Sequence, residues 1–362
     1  MEYRKVISGE DKSIAAAIVR LFLLLLSGPY RLAVGFRNLA YDKGWLKSHK
    51  LSVPVISVGN ITAGGTGKTP FVIWLCRFLL EEGFKPAILT RGYKGKPGVG
   101  NDETLLVQQA LPDVPIVVHS DRVAGGREAI EEHQVDVLVL DDGFQHRKLE
   151  RDHDIVLIDA TCPFGHEKVL PGGYLREDPE ELRRRAHTII LSRCEQVSPD
   201  RITEIEKKLA GVLHLKPNYR CEFVIRGVSN QAGEKLAKSE LSARFYAFSG
   251  IGNPGSFMKT IEHMGFTDVC HKFFPDHHIY SVAQVADLLK QADRAGAKWL
   301  VTTEKDWVKM DRLDLDPDVR AKIVRVQIEL RIIENDQGLG EQDFKETILG
   351  VCRKQDVMNP ST

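Results

Sequence analysis

One segment near the N-terminus, residues 53–69, constrains the fold more than any other part of the sequence. It reads VPVISVGNITAGGTGKT, an apolar run followed by a glycine-rich stretch and then by Lys68 and Thr69. Glycine tolerates tight turns, so such a stretch lets successive N–H groups face phosphate oxygens, and a following helix adds the positive end of its dipole. The pattern predicts a strand, a phosphate-binding loop and a helix in direct succession.

The predicted loop departs from the general pattern GxxxxGK[ST] at one position, because Thr62 stands where the first glycine is expected. Lys68 is expected to reach the β- and γ-phosphates of a nucleotide, and the Thr69 hydroxyl to ligate Mg²⁺. The residues predicted to bind the nucleotide are Thr62, Ala63, Gly64, Gly65, Thr66, Gly67, Lys68 and Thr69.

Two other classes of nucleotide-binding protein share parts of this pattern. Partition-type ATPases carry an additional lysine immediately before the paired glycines, where this chain has Ala63. GTPases read guanine with Asn-Lys-x-Asp, and the nearest run, residues 303–306, has its lysine at a different offset. ATP is therefore favoured over GTP. A nucleotide-switched, membrane-associated partition protein and a P-loop kinase for a soluble small molecule stay open as alternatives.

The remaining chain alternates short apolar runs with stretches of helical period. The predicted strands of the first part are residues 53–58, 86–90, 115–119, 135–140, 155–159 and 188–192. Strands that alternate with helices predict an α/β fold, a P-loop NTPase-like, doubly wound parallel sheet with ligands at the carboxyl ends of its strands.

A change of pattern near residue 220 predicts a second, smaller α/β domain. The expected divisions are an N-terminal membrane-associating helical segment (1–50), a phosphate-loop domain (51–220, with a returning helix at about 335–354), a two-stranded linker (221–230 and 322–331) and the smaller domain (231–321).

The composition excludes several classes of protein. The chain has 362 residues with 50 Lys and Arg against 50 Asp and Glu, so it lacks the basic excess typical of nucleic-acid-binding proteins. Its six cysteines include no CxxC pair, which argues against a zinc ribbon or a disulfide scaffold and favours a reducing compartment.

The N-terminal segment is basic and contains an apolar run. Residues 1–50 carry nine Lys and Arg and four Asp and Glu, a net charge of +5, and residues 14–26 are apolar except for Arg20. This run is too short to span a bilayer as a helix, which takes about 20 residues. A helix lying in the membrane interface is predicted. A core helix and a dimer contact are the alternatives.

Two adjacent acids, Asp141 and Asp142, end the apolar run 135–140. An acid at the end of such a strand can hold Mg²⁺ beside a phosphate loop. Neighbouring side chains in an extended strand point to opposite faces, so one acid is expected to hold the metal and the other to act in catalysis. We assign Asp141 to the metal and Asp142 to catalysis, although the order of the two stays open and a capped turn is the alternative.

Other candidate residues lie in loops. Arg91 closes the second predicted strand, and Asp102 follows in a long loop, where spacing alone favours a solvated acid over a proton acceptor. His277, in the run Asp-His-His, is by itself more typical of a polar contact than of a catalytic group. Arg176 could clamp phosphate, whereas residues 183–185, three arginines, are expected to form a solvated helix face.

One further local pattern predicts the start of a helix. Thr303 and Asp306 have the spacing of a capping box at the start of a helix, which alone would account for both residues.

Together these motifs resemble the tetraacyldisaccharide 4′-kinase family of lipid A biosynthesis. The matching segments are VGNITAGGTGKTP (58–70), LTRGYKG (89–95), NDE (101–103), DDGFQHR (141–147), LPGGYLRE (170–177), SGIGNPGSF (249–257), FPDHH (274–278) and VTTEKD (301–306). They occur in the family's order over roughly residues 14–330, and the Thr62 that breaks the general loop pattern is also typical of this family.

The resemblance implies an enzyme that uses ATP and Mg²⁺ to phosphorylate the 4′-hydroxyl of tetraacyldisaccharide 1-phosphate, giving lipid IVA. It implies a peripheral protein on the cytoplasmic face of the bacterial inner membrane, with this lipid as its partner. Neither nucleic acid nor an obligate protein partner is expected.

The resemblance also implies roles for individual residues. Lys68 and Thr69 would bind the phosphates and Mg²⁺, with Asp141 and Asp142 in the magnesium and catalytic set. Asp102 would act as base with support from His277, although Asn101 stands where a small residue or Gly is commoner in the family. This support would require the two domains to close. Substrate contacts are expected from Arg91, Gln145, Arg176 and Glu177.

Overall fold

The computed structural model describes residues 3–92, 102–214, 217–231, 233–237, 240, 244–264 and 269–358. The chain divides into two compact units. The first comprises Met1–Gly92, Asp113–Glu222 and Arg331–Thr362, and the second Tyr93–Pro112 and Phe223–Leu330. Parts of two sequence motifs, residues 93–95 of LTRGYKG and Asn101 of NDE, lie outside the described residues.

The strands are, in chain order, β1 (Val55–Gly59), β2 (Pro86–Thr90), β3 (Ile116–Val118), β4 (Val137–Asp141), β5 (His153–Asp159), β6 (Thr188–Ser192), β7 (Tyr219–Ser229), β8 (Phe245–Ser249), β9 (Val269–Phe273), β10 (Trp299–Thr303) and β11 (Ile323–Ile333). The α-helices are α1 (Tyr3–Ser8), α2 (Ile14–Asp42), α3 (Lys68–Glu81), α4 (Asp102–Ala110), α5 (Arg122–His133), α6 (Glu180–Arg185), α7 (Pro199–Leu213), α8 (Pro254–His263), α9 (Val282–Arg294), α10 (Glu304–Met310), α11 (Pro317–Ala321) and α12 (Glu341–Met358).

The strands of the first unit lie in the order β3-β2-β4-β1-β5-β6-β7, and the recorded pairings between these neighbours are parallel. All five residues of β1 are buried, as are all seven of β5, which explains why these segments read as continuous apolar runs. The predicted parallel α/β sheet is confirmed. In its register Val58 of β1 lies beside Asp141 of β4, so the phosphate loop and the acidic pair leave the same edge of the sheet.

The second unit contains a smaller set of parallel strands, in the order β11-β10-β8-β9. Its core includes Phe248, Leu288 and Trp307. Helix α4 belongs to this unit and packs against α10. The sequence interpretation placed residues 93–112 in the first domain and Asp102 in a loop. The structure differs because Asp102 begins a helix whose packing partner lies about 200 residues further along the chain.

Helix α2 is longer than the apolar run that predicted it, with 29 residues capped by the Ser13 side chain. One face packs against the first unit and buries Ala16, Ser27 and Asn38. The opposite face exposes apolar side chains at helical spacing, among them Leu21, Leu25, Leu32 and Phe36, which are 62–75% exposed. Within the described chain, α2 is the one helix long and apolar enough to cross a membrane.

Candidate active site

The loop between β1 and α3 has the geometry of a phosphate cradle. Gly64 and Gly67 have φ angles of 131° and 91°, in the left-handed region that other residues avoid. A Cβ added at Gly64 or Gly65 would meet no atom within 4 Å, so the loop faces open space. Gly67 is the N-cap of α3, and the first residue of this helix is Lys68. The free N–H groups of the helix start therefore point to the same space.

Neighbouring strand ends hold this loop in place. The buried Asn60 side chain donates to the Thr62 carbonyl at 2.8 Å and to the Thr66 hydroxyl at 3.0 Å. Ser192, at the end of β6, donates to the Thr66 carbonyl at 3.0 Å. Thr62 itself pairs with Leu175 in an isolated antiparallel bridge, so its place in the loop calls for an extended residue rather than a glycine.

Asp142 lies opposite Lys68 and takes a strained backbone conformation, with φ of 54°. Its carboxylate is 3.4 Å from the Lys68 ammonium and 2.7 Å from the Arg176 guanidinium. Burial would raise the pKa of Asp142, but the charges of Lys68 and Arg176 outweigh it and hold that pKa at about 2. Asp142 is therefore an anion at neutral pH that lies beside Lys68.

The other predicted substrate residues form a chain behind Asp142. Arg176 also donates to the Gln145 side chain at 3.2 Å, and Gln145 donates to the Glu177 carboxylate at 2.7 Å. Glu177 is 1% exposed and further accepts from Asn38 of α2 and from Arg185. Its carboxylate is thus fully engaged inside the first unit, as a buried charge must be.

Arg91 follows β2 and is exposed. Burial and the neighbouring charge of Arg91 lower the pKa of Arg122, which is 4% exposed at the start of α5. The carboxyl edge of the first sheet therefore gathers cationic groups from three segments, as an anion-binding edge requires.

These residues fit a nucleotide with Mg²⁺. The open cradle, the start of α3 and Lys68 suit phosphate oxygens, while the Thr69 hydroxyl and the Asp141 carboxylate are oxygen ligands of the kind Mg²⁺ takes. No group of three His, Cys, Asp or Glu side chains converges as a metal site in the described part of the chain.

The second unit holds its own acidic cluster. The Asp102 carboxylate lies 3.4 Å from Nδ1 of His277 and 3.3 Å from Nζ of Lys309. Burial would raise the pKa of Asp102, but the hydrogen bond with His277 and the charge of Lys309 lower it below its ordinary range. His277 has a φ of 61°, a left-handed conformation that histidine adopts only where surrounding contacts impose it.

The structure corrects two expectations. Contact between Asp102 and His277 was expected to require closure of two domains, and that is wrong because both residues lie in the second unit. The expected solvated face of arginines is wrong at one position. Arg183 and Arg184 are about half exposed, but the Arg185 side chain is 9% exposed and pairs with Glu177 and Glu181.

The sequence analysis missed the roles of Asp306 and Lys309 in the second cluster. Thr303 is the N-cap of α10, as its spacing predicts. Asp306 does more than a cap residue, because it also accepts from the Gly250 N–H and from Lys309. The signal was an acid and a lysine three residues apart, which puts both on one face of a helix.

Comparison with known proteins identifies relatives over most of the chain. The family model for tetraacyldisaccharide-1-P 4′-kinase (LpxK) matches residues 19–348. Tetraacyldisaccharide 4′-kinase of Syntrophus aciditrophicus is 40% identical over 329 residues, covering 83% of this chain and 86% of the relative. That of Anaeromyxobacter dehalogenans is 35% identical over 328 residues, covering 85% and 86%.

A solved structure is similar over most of the chain. LpxK from Aquifex aeolicus, an "apo" form in complex with ATP, is 31% identical and has a TM-score of 0.70, covering 92% of this chain and 99% of that one. The resemblance predicted from the motifs is thus confirmed. The chain belongs to the tetraacyldisaccharide-1-P 4′-kinase family.

Proposed function

We propose that this protein transfers the γ-phosphate of ATP to the 4′-hydroxyl of tetraacyldisaccharide 1-phosphate, the lipid A precursor. The observation that carries this proposal is the open phosphate cradle at the start of α3, with Lys68 placed opposite an acidic strand end that comes from the neighbouring strand β4. Family membership supports the acceptor, since the curated relatives carry the name of this kinase.

The phosphate loop binds and orients ATP. N–H groups from Thr62 to Thr69 surround the β- and γ-phosphates, and Lys68 leaves Asp142 to neutralise them. Thr69 and Asp141 would hold Mg²⁺, which when bound would neutralise phosphate charge. Asp142, once released by Lys68, keeps its pair with Arg176.

Asp102 accepts the proton of the attacking hydroxyl, and His277 supports it. The acceptor oxygen forms a bond to the γ-phosphorus while the bond from that phosphorus to the β–γ bridging oxygen breaks, and ADP leaves with the bond's electron pair. The hydroxyl proton passes to Asp102. A carboxylate with a lowered pKa is a weak base, which suffices because a loose transition state asks for little proton transfer before the phosphoryl group moves.

The cationic groups at the carboxyl edge of the first sheet position the acceptor. Arg91 is exposed and suits an anionic group of the lipid, and Arg176 and Gln145 suit sugar oxygens or phosphate. Glu177 supports these side chains from inside the first unit. Because its carboxylate is buried among Asn38, Gln145 and Arg185, it orients those side chains rather than the substrate.

Helix α2 attaches the enzyme to the cytoplasmic face of the inner membrane as a peripheral protein. Its polar contacts fix one face on the loop that carries Arg176: Tyr30 donates to the Arg176 carbonyl at 2.8 Å, and Ser27 bonds to the Val169 carbonyl and the Gly172 N–H. The opposite face exposes large apolar side chains such as Leu25 and Leu32, and basic residues flank it.

A direct transfer assay tests the reaction. Purified protein is incubated with γ-labelled ATP, Mg²⁺ and the detergent-dispersed acylated disaccharide 1-phosphate, and labelled lipid is the expected product. A parallel reaction with a soluble hexosamine in place of the lipid serves as control. Hydrolysis of ATP without labelled lipid would contradict the proposal and favour a nucleotide-switched ATPase.

Vesicle sedimentation tests the attachment. Leu21→Ser with Leu25→Ser places two hydroxyls on the exposed face of α2, and we expect the protein to move from the pellet to the supernatant with anionic vesicles. The matched control is Ile279→Ser, which removes an apolar side chain that is 85% exposed in the second unit. Unchanged sedimentation of the α2 variant would contradict a membrane role for this face.

A further inference from the structure

A deeply buried lysine, Lys309, lies on α10 of the second unit. Its side chain is 5% exposed, and its ammonium lies 3.3 Å from the Asp102 carboxylate and 2.9 Å from the Asp306 carboxylate. Lysine is almost never buried to this extent unless it is paired. Here it is paired twice, once with the proposed proton acceptor and once with an acid that has no exposed surface.

Asp306 fixes Lys309 from the side away from Asp102. It accepts hydrogen bonds from the Gly250 N–H at 2.9 Å and from the Thr303 hydroxyl at 2.9 Å, in addition to the lysine. Because its carboxylate is held by three donors, Asp306 gives Lys309 a fixed position.

Gly250 connects this frame to the histidine. Its carbonyl accepts from Nζ of Lys309 at 3.4 Å and from the backbone N–H of His277 at 3.2 Å. The residue that holds Asp306 through its N–H therefore holds both partners of Asp102 through its carbonyl. A single residue after β8 sets the spacing of the lysine and the histidine.

We propose that Lys309 is a positioning residue for the Asp102–His277 pair: its ammonium orients the Asp102 carboxylate toward His277. This inference rests on the proposed role of Asp102 as proton acceptor. We expect Lys309 to contact neither ATP nor the lipid, because its ammonium is enclosed by the two carboxylates and the Gly250 carbonyl.

Three other charged groups face this cluster, and the charge of Lys305 also lowers the pKa of Asp102. Lys305 of α10 lies 3.3 Å from Glu103 and 3.8 Å from Asp276, and Asp276 lies 3.9 Å from Nε2 of His277. The Tyr280 hydroxyl is buried nearby, and the charges of Asp306 and Asp102 add to the effect of burial in raising its pKa, so it stays neutral. Lys309 is therefore the positive charge that bears most directly on Asp102, together with the hydrogen bond from His277.

The test is the pH dependence of kcat for K309M and K309R. Loss of a charge 3.3 Å away raises the pKa of Asp102, so the acid limb of the kcat profile is expected to move up by about one pH unit in K309M. At the pH optimum kcat should fall roughly tenfold while KM for ATP stays within about twofold, because the phosphate loop belongs to the first unit. K309R, which keeps the charge, should keep the acid limb of the unaltered protein.

Two further variants separate positioning from folding. K322M removes a lysine paired with Asp293 elsewhere in the second unit and should leave the profile unchanged. K309M leaves Asp306 as an uncompensated buried charge, so the double variant K309M/D306N provides a form without that penalty. It should show the same shift of the acid limb.

A measurement without substrate distinguishes this inference from the proposed function. With aspartate labelled with ¹³C at Cγ, the Asp102 signal is assigned by its loss in D102N, and its titration is expected to move to higher pH in K309M and in K309M/D306N. An unchanged titration and an unchanged acid limb would overturn the positioning role. If D102A instead kept the kcat of the unaltered protein, the proton-acceptor assignment would fail, whatever the titration showed.

Discussion

The two charged clusters of this protein are built alike but fixed differently. Each has one aspartate between two nitrogen-bearing side chains: Asp142 between Lys68 and Arg176 in the first unit, and Asp102 between His277 and Lys309 in the second. Each also contains a non-glycine residue in the left-handed region, Asp142 itself in one and His277 in the other. Strain of this kind persists only where surrounding contacts impose it.

The difference lies in how each lysine is held. Lys68 is 13% exposed at the edge of an open cradle, and among the described residues its recorded carboxylate partner is Asp142, which is 39% exposed. Lys309 is enclosed by two carboxylates. The first arrangement lets an incoming phosphate replace the aspartate, whereas the second keeps its partners. A lysine that binds a ligand and a lysine that positions another residue therefore differ in the number of carboxylates that hold them.

The largest effect is expected at the exchangeable lysine. Lys68→Ala removes the charge that faces the phosphates, and kcat should fall about 10³-fold, since the group acts on charge that develops during transfer. Lys50→Ala, which removes an exposed lysine of the same unit, is the control. Near-normal turnover of Lys68→Ala in the labelled-lipid assay would remove the distinction between the two lysines.

A smaller loss is expected at the proposed proton acceptor. Asp102→Ala should lower kcat about 10²-fold and leave KM for ATP nearly unchanged, because a general base contributes to the chemical step. Asp287→Ala, at an exposed aspartate of the second unit, should behave like the unaltered protein. An effect confined to KM for ATP would place Asp102 with the nucleotide-binding groups instead.

Arg176→Lys tests whether the first cluster needs a planar cation. One nitrogen of Arg176 donates to both Asp142 oxygens and to Gln145. The planar guanidinium fixes the position of this nitrogen, whereas a lysine ammonium ends a shorter and more flexible stem. We expect kcat/KM for the lipid to fall about tenfold while the fold is kept. Equal activity of the two proteins would mean that charge alone matters at this position.

The smallest effect concerns His146, which follows the acidic pair. Burial, then the charges of Arg122 and Arg151, lower the pKa of His146 to about 4, so it is neutral at pH 7. Between pH 6.5 and 4 the unfolded chain binds a proton that the folded chain does not. The free energy of unfolding should therefore be fully kept above pH 6.5 and decrease as the pH falls through this window.

The variant His146→Gln should show a shallower loss of stability across that window, measured as the midpoint of urea unfolding at a series of pH values. His133→Gln, at the exposed end of α5, should keep the original slope. Parallel curves for His146→Gln and the unaltered protein would mean that His146 is not the group that titrates.

How much could be predicted from the sequence differs between the clusters. The strand, loop and helix around Lys68 were predicted because they are contiguous, and the ends of β2 and β6 were predicted to the residue. The length of α2 and the helix that begins at Asp102 were not. The sequence of α2 is interrupted by Gly28 and Pro29, and that of α4 follows a long glycine-rich stretch. In both helices, packing on a distant segment outweighs local helix propensity.

The phosphate loop, the parallel α/β sheet and the family could all be predicted from the sequence, because those depend on residue type within short stretches of chain. Only the tertiary structure brings Asp102 into contact with His277, 175 residues away, and places Lys309 between Asp102 and Asp306. It also decided that Glu177 is buried behind Arg176. The physical reason is that burial and charge pairing depend on which distant helices and loops pack together, and no local period or spacing encodes that choice.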